Sequence, residues 1–336
     1  MKKKSNIINI IVLIIITILV LYFSLKDNFN ETIDQISNMN ILFVLLSFLL
    51  LIIFWIFRAY PMYSFAHKFN KDFKYKDAFH LVLRTQFFNA VTPFATGGQP
   101  YQIYYLKKSK LEYTTATGVV LANFIVYQIA LILLGLVALI VSNIFNIFSN
   151  AQILSKFIAL GFLMNTLVII LMFVLSFAKK LDKKVMNFGI NILYRLKLVK
   201  DKQKRLDKWD KNINDFHEGA LILVKDKKNF IKNIIYNFIA LSSLYLIPLF
   251  VLYATGDFNS FSAWEAIVSS AYVMLIGSFV PIPGGTGGLE YGFTQFYGNF
   301  ISGAKLSAIM LIWRFITYYF GMIVGAISLN IKRRKI

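Results

Sequence analysis

Three ionisable residues lie inside strongly apolar stretches of the sequence, where a charge is costly and is usually retained for function. They are Arg84, Glu290 and Arg314. The arginines could bind an anion such as a phosphate, and Glu290 could neutralise Arg314 when no anion is bound. Structural interpretations stay open for all three. Arg84 could extend to a polar interface, Glu290 could stabilise a helix start, and Arg314 could pair with Glu290.

Two glycine-rich loops resemble each other and lie 190 positions apart. Residues 93–101 read PFATGGQPY and residues 283–291 read PGGTGGLEY, with five identities in nine positions. A helix that begins after such a loop presents N–H groups without intrahelical partners at the positive end of its dipole. Two such ends would form an anion site suited to a phosphate, and glycine would permit close approach. Glycine pairs that only interrupt the helices are the alternative.

The candidate binding residues therefore belong to the two loops and their surroundings. The chain has no cysteine, its three histidines are far apart, and no GxxxxGK[ST], GxSxG or HExxH motif is present. We therefore predict no catalytic residue, no metal site and no cofactor. The predicted substrate-binding residues are Arg84, Asn89, Thr96, Gly97, Gly98, Gln99, Thr286, Gly287, Gly288, Glu290 and Arg314.

The composition indicates which elements must position these residues. Hydrophobic residues make up 57% of the 336 residues and charged residues only 15%, whereas a soluble globular protein has about 25% charged residues. This excludes a soluble globular protein and favours membrane-spanning helices, which need about 20 apolar residues each. Six spans are predicted: Ile7–Leu25, Ile41–Phe57, Thr115–Val141, Ile153–Ala178, Asn233–Tyr253 and Leu306–Asn330.

The positive charge of the chain orients these spans. There are 36 Lys and Arg against 16 Asp and Glu, a net charge of +20. Because Lys and Arg concentrate in cytoplasmic loops, their placement predicts that both termini are cytoplasmic. The segment 179–232 holds 16 Lys and Arg, and its spacing predicts two amphipathic helices on the anionic inner leaflet. A regulatory or partner-binding role for this segment is the alternative, and no nucleic-acid partner is expected.

Two further apolar stretches, about 78–106 and 266–303, are each broken midway by proline and glycine. Each must return to the side where it started, so we predict two re-entrant hairpins, which need surrounding protein or a polar cavity. Units 41–141 and 231–331 each read span, hairpin, span, and the crossing at 153–178 inverts the second unit. The predicted fold is an all-α integral membrane protein, a single polytopic domain with about six full transmembrane helices plus two re-entrant hairpins in an inverted repeat. Such repeats are typical of transporters, and two kinks in an ordinary bundle are the alternative.

The runs NAVTPFATGGQP at 89–100 and PIPGGTGGLE at 281–290, together with Arg314, resemble the lysylphosphatidylglycerol synthase transmembrane-region family, also described as flippase-like. The resemblance covers roughly 7–331. The best-known members of this family are the membrane halves of the multiple peptide resistance factors. Those factors attach lysine from lysyl-tRNA to phosphatidylglycerol and move the product to the outer leaflet. In those proteins a C-terminal cytoplasmic domain transfers the lysine, whereas this chain ends six residues after Asn330. The resemblance therefore implies the lipid-moving part without the synthase part.

These observations favour a translocator of a lipid or lipid-linked anion in the bacterial plasma membrane. It would hold an anionic or zwitterionic headgroup between the two hairpin tips. A phosphatidylglycerol lysyltransferase, or a membrane subunit that needs a separate synthase partner, is the second hypothesis. A non-transporting membrane scaffold is the third. The expected partner is a membrane phospholipid or lipid-linked anion, and the sequence leaves a homo-oligomer open.

Overall fold

A computed structural model describes residues 28–148 and 225–331, and between them residues 161–163, 166, 167, 170, 191, 194 and 203. The two long ranges contain both glycine-rich loops and every predicted binding residue. The predicted span Ile7–Leu25, most of Ile153–Ala178 and most of the basic segment 179–232 lie outside the described residues.

The described part of the chain is built from helices and contains no β-strand. The α-helices, numbered here in chain order, are α1 Phe29–Ser37, α2 Ile41–Phe69, α3 Tyr75–Ala90, α4 Gly98–Lys108, α5 Tyr113–Ile144, α6 Lys227–Tyr245, α7 Ile247–Ala254, α8 Ala263–Ser278, α9 Gly288–Tyr297, α10 Gly303–Arg314 and α11 Gly321–Asn330. A π-helical turn, Phe315–Phe320, joins α10 to α11.

Four stretches of the described residues are long and apolar enough to cross a membrane: Ile41–Phe69, Tyr113–Ile144, Lys227–Ala254 and Gly303–Asn330. They coincide with four of the six predicted spans, so the prediction of an all-α integral membrane protein is confirmed. The first of them extends well beyond the predicted end at Phe57. The part of α2 after Phe57 stays helical because Met62, Phe65 and Ala66 are buried against neighbouring helices.

Each interrupted apolar stretch folds as a helical hairpin with one 3₁₀ turn at its tip. Tip one is Pro93–Ala95, between α3 and α4, and tip two is Pro283–Gly285, between α8 and α9. The two arms of each hairpin pack against each other, and the two tips are in contact. The fold therefore brings together two glycine-rich loops that are far apart in sequence.

Equivalent elements of the two halves begin at equivalent residues. Tip one and tip two, α4 and α9, and α5 and α10 each start 190 residues apart. The first helices of the halves are antiparallel. At one end the Asn40 N–H donates to the Ala254 carbonyl at 2.7 Å, and at the other Lys68 pairs with Asp226 at 2.8 Å. The two halves therefore run in opposite directions, as an inverted repeat requires.

Polar side chains link α2 to α6 along the contact between the halves. Ser64 donates to Asn229 at 2.9 Å and accepts from Asn233 at 3.2 Å. Arg58, which lies between one and two helical turns before Ser64 in α2, donates to Asn237. Hydrogen bonds between membrane helices contribute about 0.6–2 kcal/mol each, so this row of contacts fixes the register in which Arg58 is presented.

The loop before α8 is tied to the start of α10 by an ion pair. Lys305 donates to Asp257 at 2.8 Å, and Ser260 donates to the same carboxylate at 2.6 Å. The Lys305 ammonium, with help from Ser260, holds the pKa of the Asp257 carboxyl well below its usual range. This pair lies at the end of a membrane helix and is partly exposed.

Candidate functional site

A cavity of about 750 Å³ lies between the two hairpins and the long helices. Its walls come from α2, α3, α4, α5, α6, both tips, α8, α9, α10, the π-helical turn and α11. Much of the surface is apolar, but two arginines, Arg58 and Arg314, face it together with several side-chain amides. No Asp, Glu or His is present among the described wall residues. The amides belong to Gln86, Asn89, Gln99, Gln102, Asn123 and Gln128.

Arg314 is held in the cavity wall by the second hairpin. Its Nε donates to Glu290 Oε1 at 2.6 Å, and its Nη2 donates to the Gly284 carbonyl at 3.1 Å and to Thr286 Oγ1 at 3.3 Å. Arg314 is 4% exposed and Glu290 is 7% exposed, so the two form a buried ion pair. Arg314 lines the cavity, whereas Glu290 stands behind it.

Glu290 lies in the first turn of α9 and has two partners at once. One carboxylate oxygen binds Arg314, and Oε2 accepts the N–H of Gly287 at 2.7 Å. The positive end of the helix dipole also favours a carboxylate at this position. Gly287 has a φ of +87°, a backbone conformation that favours glycine. Glu290 therefore stabilises the start of α9 and pairs with Arg314 at the same time.

The π-helical turn that follows Arg314 positions an aromatic partner for it. The guanidinium carbon lies 4.7 Å from the centre of the Tyr318 ring. The Tyr318 hydroxyl donates to the Ala90 carbonyl of the first hairpin at 3.0 Å. Single π turns inside α-helices are frequent at functional sites. Here the turn connects the arginine of one half to the hairpin of the other.

The first helix start already has partners for its leading N–H groups. The Gly98 N–H donates to Asn89 Oδ1 at 3.0 Å, and the Gly97 N–H donates to Thr92 Oγ1 at 2.8 Å. Pro100 has no N–H to offer. An anion at this helix start would therefore have to displace the side chains of Asn89 and Thr92. The sequence analysis predicted free N–H groups here and did not predict these two caps.

The predicted site residues occupy three kinds of position. Four of them line the cavity: Asn89, Thr96, Gln99 and Arg314. Six support these from behind or form the helix starts: Gly97, Gly98, Thr286, Gly287, Gly288 and Glu290. The remaining residue, Arg84, lies elsewhere.

Arg84 closes the end of α11 and does not reach the cavity. Its Nε donates to the Ser328 carbonyl at 2.9 Å and its Nη2 to the Ile331 carbonyl at 2.8 Å. The last carbonyls of a helix lack intrahelical partners and form the negative end of its dipole. The structure therefore places Arg84 at the end of α11, away from the cavity.

The wall residue Arg58 is not among the predicted binding residues. Arg58 directly follows the predicted span that ends at Phe57, where a charge is typical of the membrane interface. The signal that could have found it is the apolar spacing after it, at Ala59, Met62 and Phe65, which continues the helix. Asn123, another wall residue, is one of several polar residues around the first hairpin in the sequence, and such a residue in an apolar helix is often only an interhelical contact.

The interrupted helices, the cavity between them and the buried charges define a multi-pass all-α membrane protein built around a polar site. The family described as "Lysylphosphatidylglycerol synthase TM region" matches residues 9–325, and the chain belongs to this family. It is also similar to a UPF0104 membrane protein of Archaeoglobus fulgidus, with 24% identity over 329 residues, 96% of this chain and 95% of that protein. No solved structure matches the chain.

Proposed function

We propose that this protein moves a lipid or lipid-linked anion across the membrane, with the headgroup passing through the cavity between the two tips. The observation that carries the proposal is the cavity itself, in which arginine side chains face a largely apolar space of about 750 Å³. A phosphate group is bound by guanidinium donors, and acyl chains are accommodated by apolar walls. Broken helices that meet at such a site are typical of transporters.

The Arg314–Glu290 pair gives the proposal a mechanism. In the empty site Glu290 neutralises Arg314, because an unpaired buried ion would cost several kcal/mol. An entering phosphate competes with Glu290 for Arg314, or Glu290 takes up a proton as the phosphate binds. In the protonation version the net charge of the site is unchanged while the headgroup crosses. In the competition version the displaced Glu290 carboxylate keeps the N–H of Gly287 as its partner. The inverted units 41–141 and 231–331 are the bodies that would rock around this site.

Leaflet exchange in proteoliposomes tests this proposal. We expect purified protein to speed the exchange of phosphatidylglycerol with a fluorescent acyl chain, measured by the fraction of probe that an impermeant quencher reaches. Protein-free vesicles are the baseline. Folded protein that exchanges lipid no faster than this baseline would favour the membrane scaffold.

A second measurement on the same preparation separates transport from lysine transfer. Lysyl-tRNA and phosphatidylglycerol are added, and the lipids are analysed by mass spectrometry. We expect no lysylated lipid, since the proposed function is movement of a lipid without transfer of lysine. Robust lysylated product would identify the chain as a synthase.

The orientation in a bacterial plasma membrane, with both termini in the cytoplasm, is part of the proposal. Since the chain has no cysteine, single introduced cysteines report topology cleanly. We expect Asn30→Cys and Asn259→Cys to react with an impermeant thiol reagent on intact cells, and Lys71→Cys and Lys202→Cys to react only after lysis. Labelling of Lys202→Cys on intact cells would contradict the odd crossing that the inverted repeat needs.

A further inference from the structure

We infer that side-chain amides of the cavity wall bind hydroxyl groups, and that the transported lipid carries a polyhydroxylated headgroup, a glycerol or a sugar, joined to its phosphate. This inference rests on the proposed function and specifies the substrate class of the same cavity. Arg314 would bind the phosphate, as proposed above. The amides would bind the part of the headgroup that lies beyond the phosphate.

The amides of the cavity wall all come from the first half of the repeat, residues 41–141. Six described wall residues in α3, α4 and α5 carry a side-chain amide: Gln86, Asn89, Gln99, Gln102, Asn123 and Gln128. The described wall residues of the second half, 231–331, include no Asn or Gln, and they supply Arg314 instead. The two halves therefore contribute different chemistry to the same space.

The shift of 190 residues that relates the two halves shows what replaces the amides in the second half. Three amide positions correspond to apolar or aromatic residues that also line the cavity: Gln99 to Leu289, Asn123 to Trp313 and Gln128 to Tyr318. A glycerol or a sugar has both kinds of surface, because its hydroxyl groups form hydrogen bonds and its C–H groups are apolar. Such a headgroup would find amides from one half and apolar side chains from the other.

Three of the amides form no hydrogen bond within the described part of the chain. They are the side chains of Gln86, Gln99 and Gln128. Asn123 is only 4% exposed, and its Oδ1 also lacks a partner among the described residues. A polar residue in an apolar membrane helix commonly forms an interhelical hydrogen bond, but the three glutamines form none to these residues. Their amides are therefore available to a ligand that enters the cavity.

The amides of Asn89 and Gln102 show what a structural role looks like in this hairpin. Asn89 Oδ1 accepts the Gly98 N–H at 3.0 Å, and Gln102 Nε2 donates to Thr85 Oγ1 at 3.3 Å. Both bonds join α3 to α4, so they hold the two arms of the first hairpin together. The hairpin is thus held without Gln86, which lies on α3 between Thr85 and Asn89.

The free amides match hydroxyl groups better than they match charged groups. A side-chain amide offers two N–H donors and one carbonyl acceptor. An ionised phosphodiester only accepts hydrogen bonds and an ammonium group only donates them, whereas a hydroxyl group does both. A hydroxyl can therefore pair with either end of an amide and can also donate to the Asn123 Oδ1 acceptor. A headgroup with several hydroxyl groups would satisfy several of these amides at once.

Binding and exchange are measured separately, so that the two proposals can fail independently. Detergent-solubilised protein is offered equal amounts of phosphatidylglycerol, phosphatidylinositol and phosphatidylmethanol, and retained lipid is quantified by native mass spectrometry. All three headgroups are anionic phosphodiesters, but phosphatidylmethanol has no hydroxyl group. We expect each hydroxylated lipid to be retained about tenfold more than phosphatidylmethanol, the effect of two neutral hydrogen bonds. Leaflet exchange of fluorescent forms should show the same preference.

The variants test the amides themselves. Gln86→Met and Gln128→Met remove the amide but keep an unbranched side chain of similar length. Each should lower retention of phosphatidylglycerol by about threefold to tenfold, the loss of one hydrogen bond, and leave that of phosphatidylmethanol unchanged. Gln295→Met makes the same change at an exposed position of α9 that does not line the cavity, and should leave both unchanged. Thermal melting of each variant shows that it is folded.

Each outcome decides between the proposals. Equal retention of the three lipids, or equal effects of Gln128→Met and Gln295→Met, would overturn the hydroxyl site. Selective retention without leaflet exchange would overturn transport and leave the hydroxyl site standing. Uptake of glycerol 3-phosphate into the same vesicles without exchange of lipid would show that the substrate is water-soluble, and the lipid class would be wrong.

Discussion

Replacing Glu290 by Gln or Arg314 by Ala is expected to abolish lipid exchange. Arg314 would supply the full positive charge that the headgroup meets in the second half of the cavity, and Glu290 neutralises it at 2.6 Å when the site is empty. Glu290→Asp should retain part of the activity, because it keeps the charge at a shorter reach. Leaflet exchange of fluorescent phosphatidylglycerol in proteoliposomes is the measurement.

The same two substitutions also disturb folding, so the effect on transport has to be separated from stability. Removing one partner of a buried ion pair leaves the other charge unpaired and costs about 3–5 kcal/mol. We therefore expect both single variants to melt at lower temperature than the wild type. The double variant Glu290→Gln with Arg314→Gln removes both charges and should recover much of the melting temperature while staying inactive.

A matched control comes from the exposed end of the same helix. Lys305→Gln breaks the ion pair with Asp257 at the start of α10, far along the helix from Arg314. Since that pair is partly exposed, we expect a small change in melting temperature and normal exchange. Normal exchange by the Glu290→Gln and Arg314→Gln double variant would remove this pair from the transport mechanism and leave it a purely structural role.

Gly98→Val and Gly288→Val are expected to give the second large loss, through packing at the two helix starts. A Cβ at Gly98 would overlap the side chains of Asn89 and Thr85, and a Cβ at Gly288 would overlap Val280. Overpacking of this kind costs about 1–3 kcal/mol, and it would displace the tips that form the cavity. Melting temperature and leaflet exchange should both fall.

A compensating substitution tests this reason for the second glycine. Gly288→Ala alone should lower the melting temperature, and Val280→Ala added to it should restore most of the loss because it removes the overlapping methyl group. Gly321→Ala is the matched control, since its Cβ would meet Trp55 at 3.8 Å and Gln86 at 4.0 Å, which are ordinary contacts. If Val280→Ala gave no recovery, the glycine would be needed for something other than packing.

The architecture was largely determined by the sequence itself. Apolar runs of the length of a bilayer have to be helical, because a lipid environment cannot satisfy free backbone groups. Proline and glycine at 93–98 and 283–288 have to interrupt those helices. The shift of 190 residues correctly predicted where the tips and the following helices begin. These are local properties of the chain, so the sequence could reveal them.

The partners of each charge were decided by the tertiary structure. Arg84 and Arg314 look alike in sequence, but one closes the end of α11 and the other faces the cavity. Arg58 directly follows a predicted span, and the antiparallel contact of α2 with α6 brings it to the cavity wall. The helix start at Gly98 is capped by Asn89, nine residues earlier. Spacing along a helix fixes which face a side chain occupies, but only the packing of separate helices determines what lies opposite it.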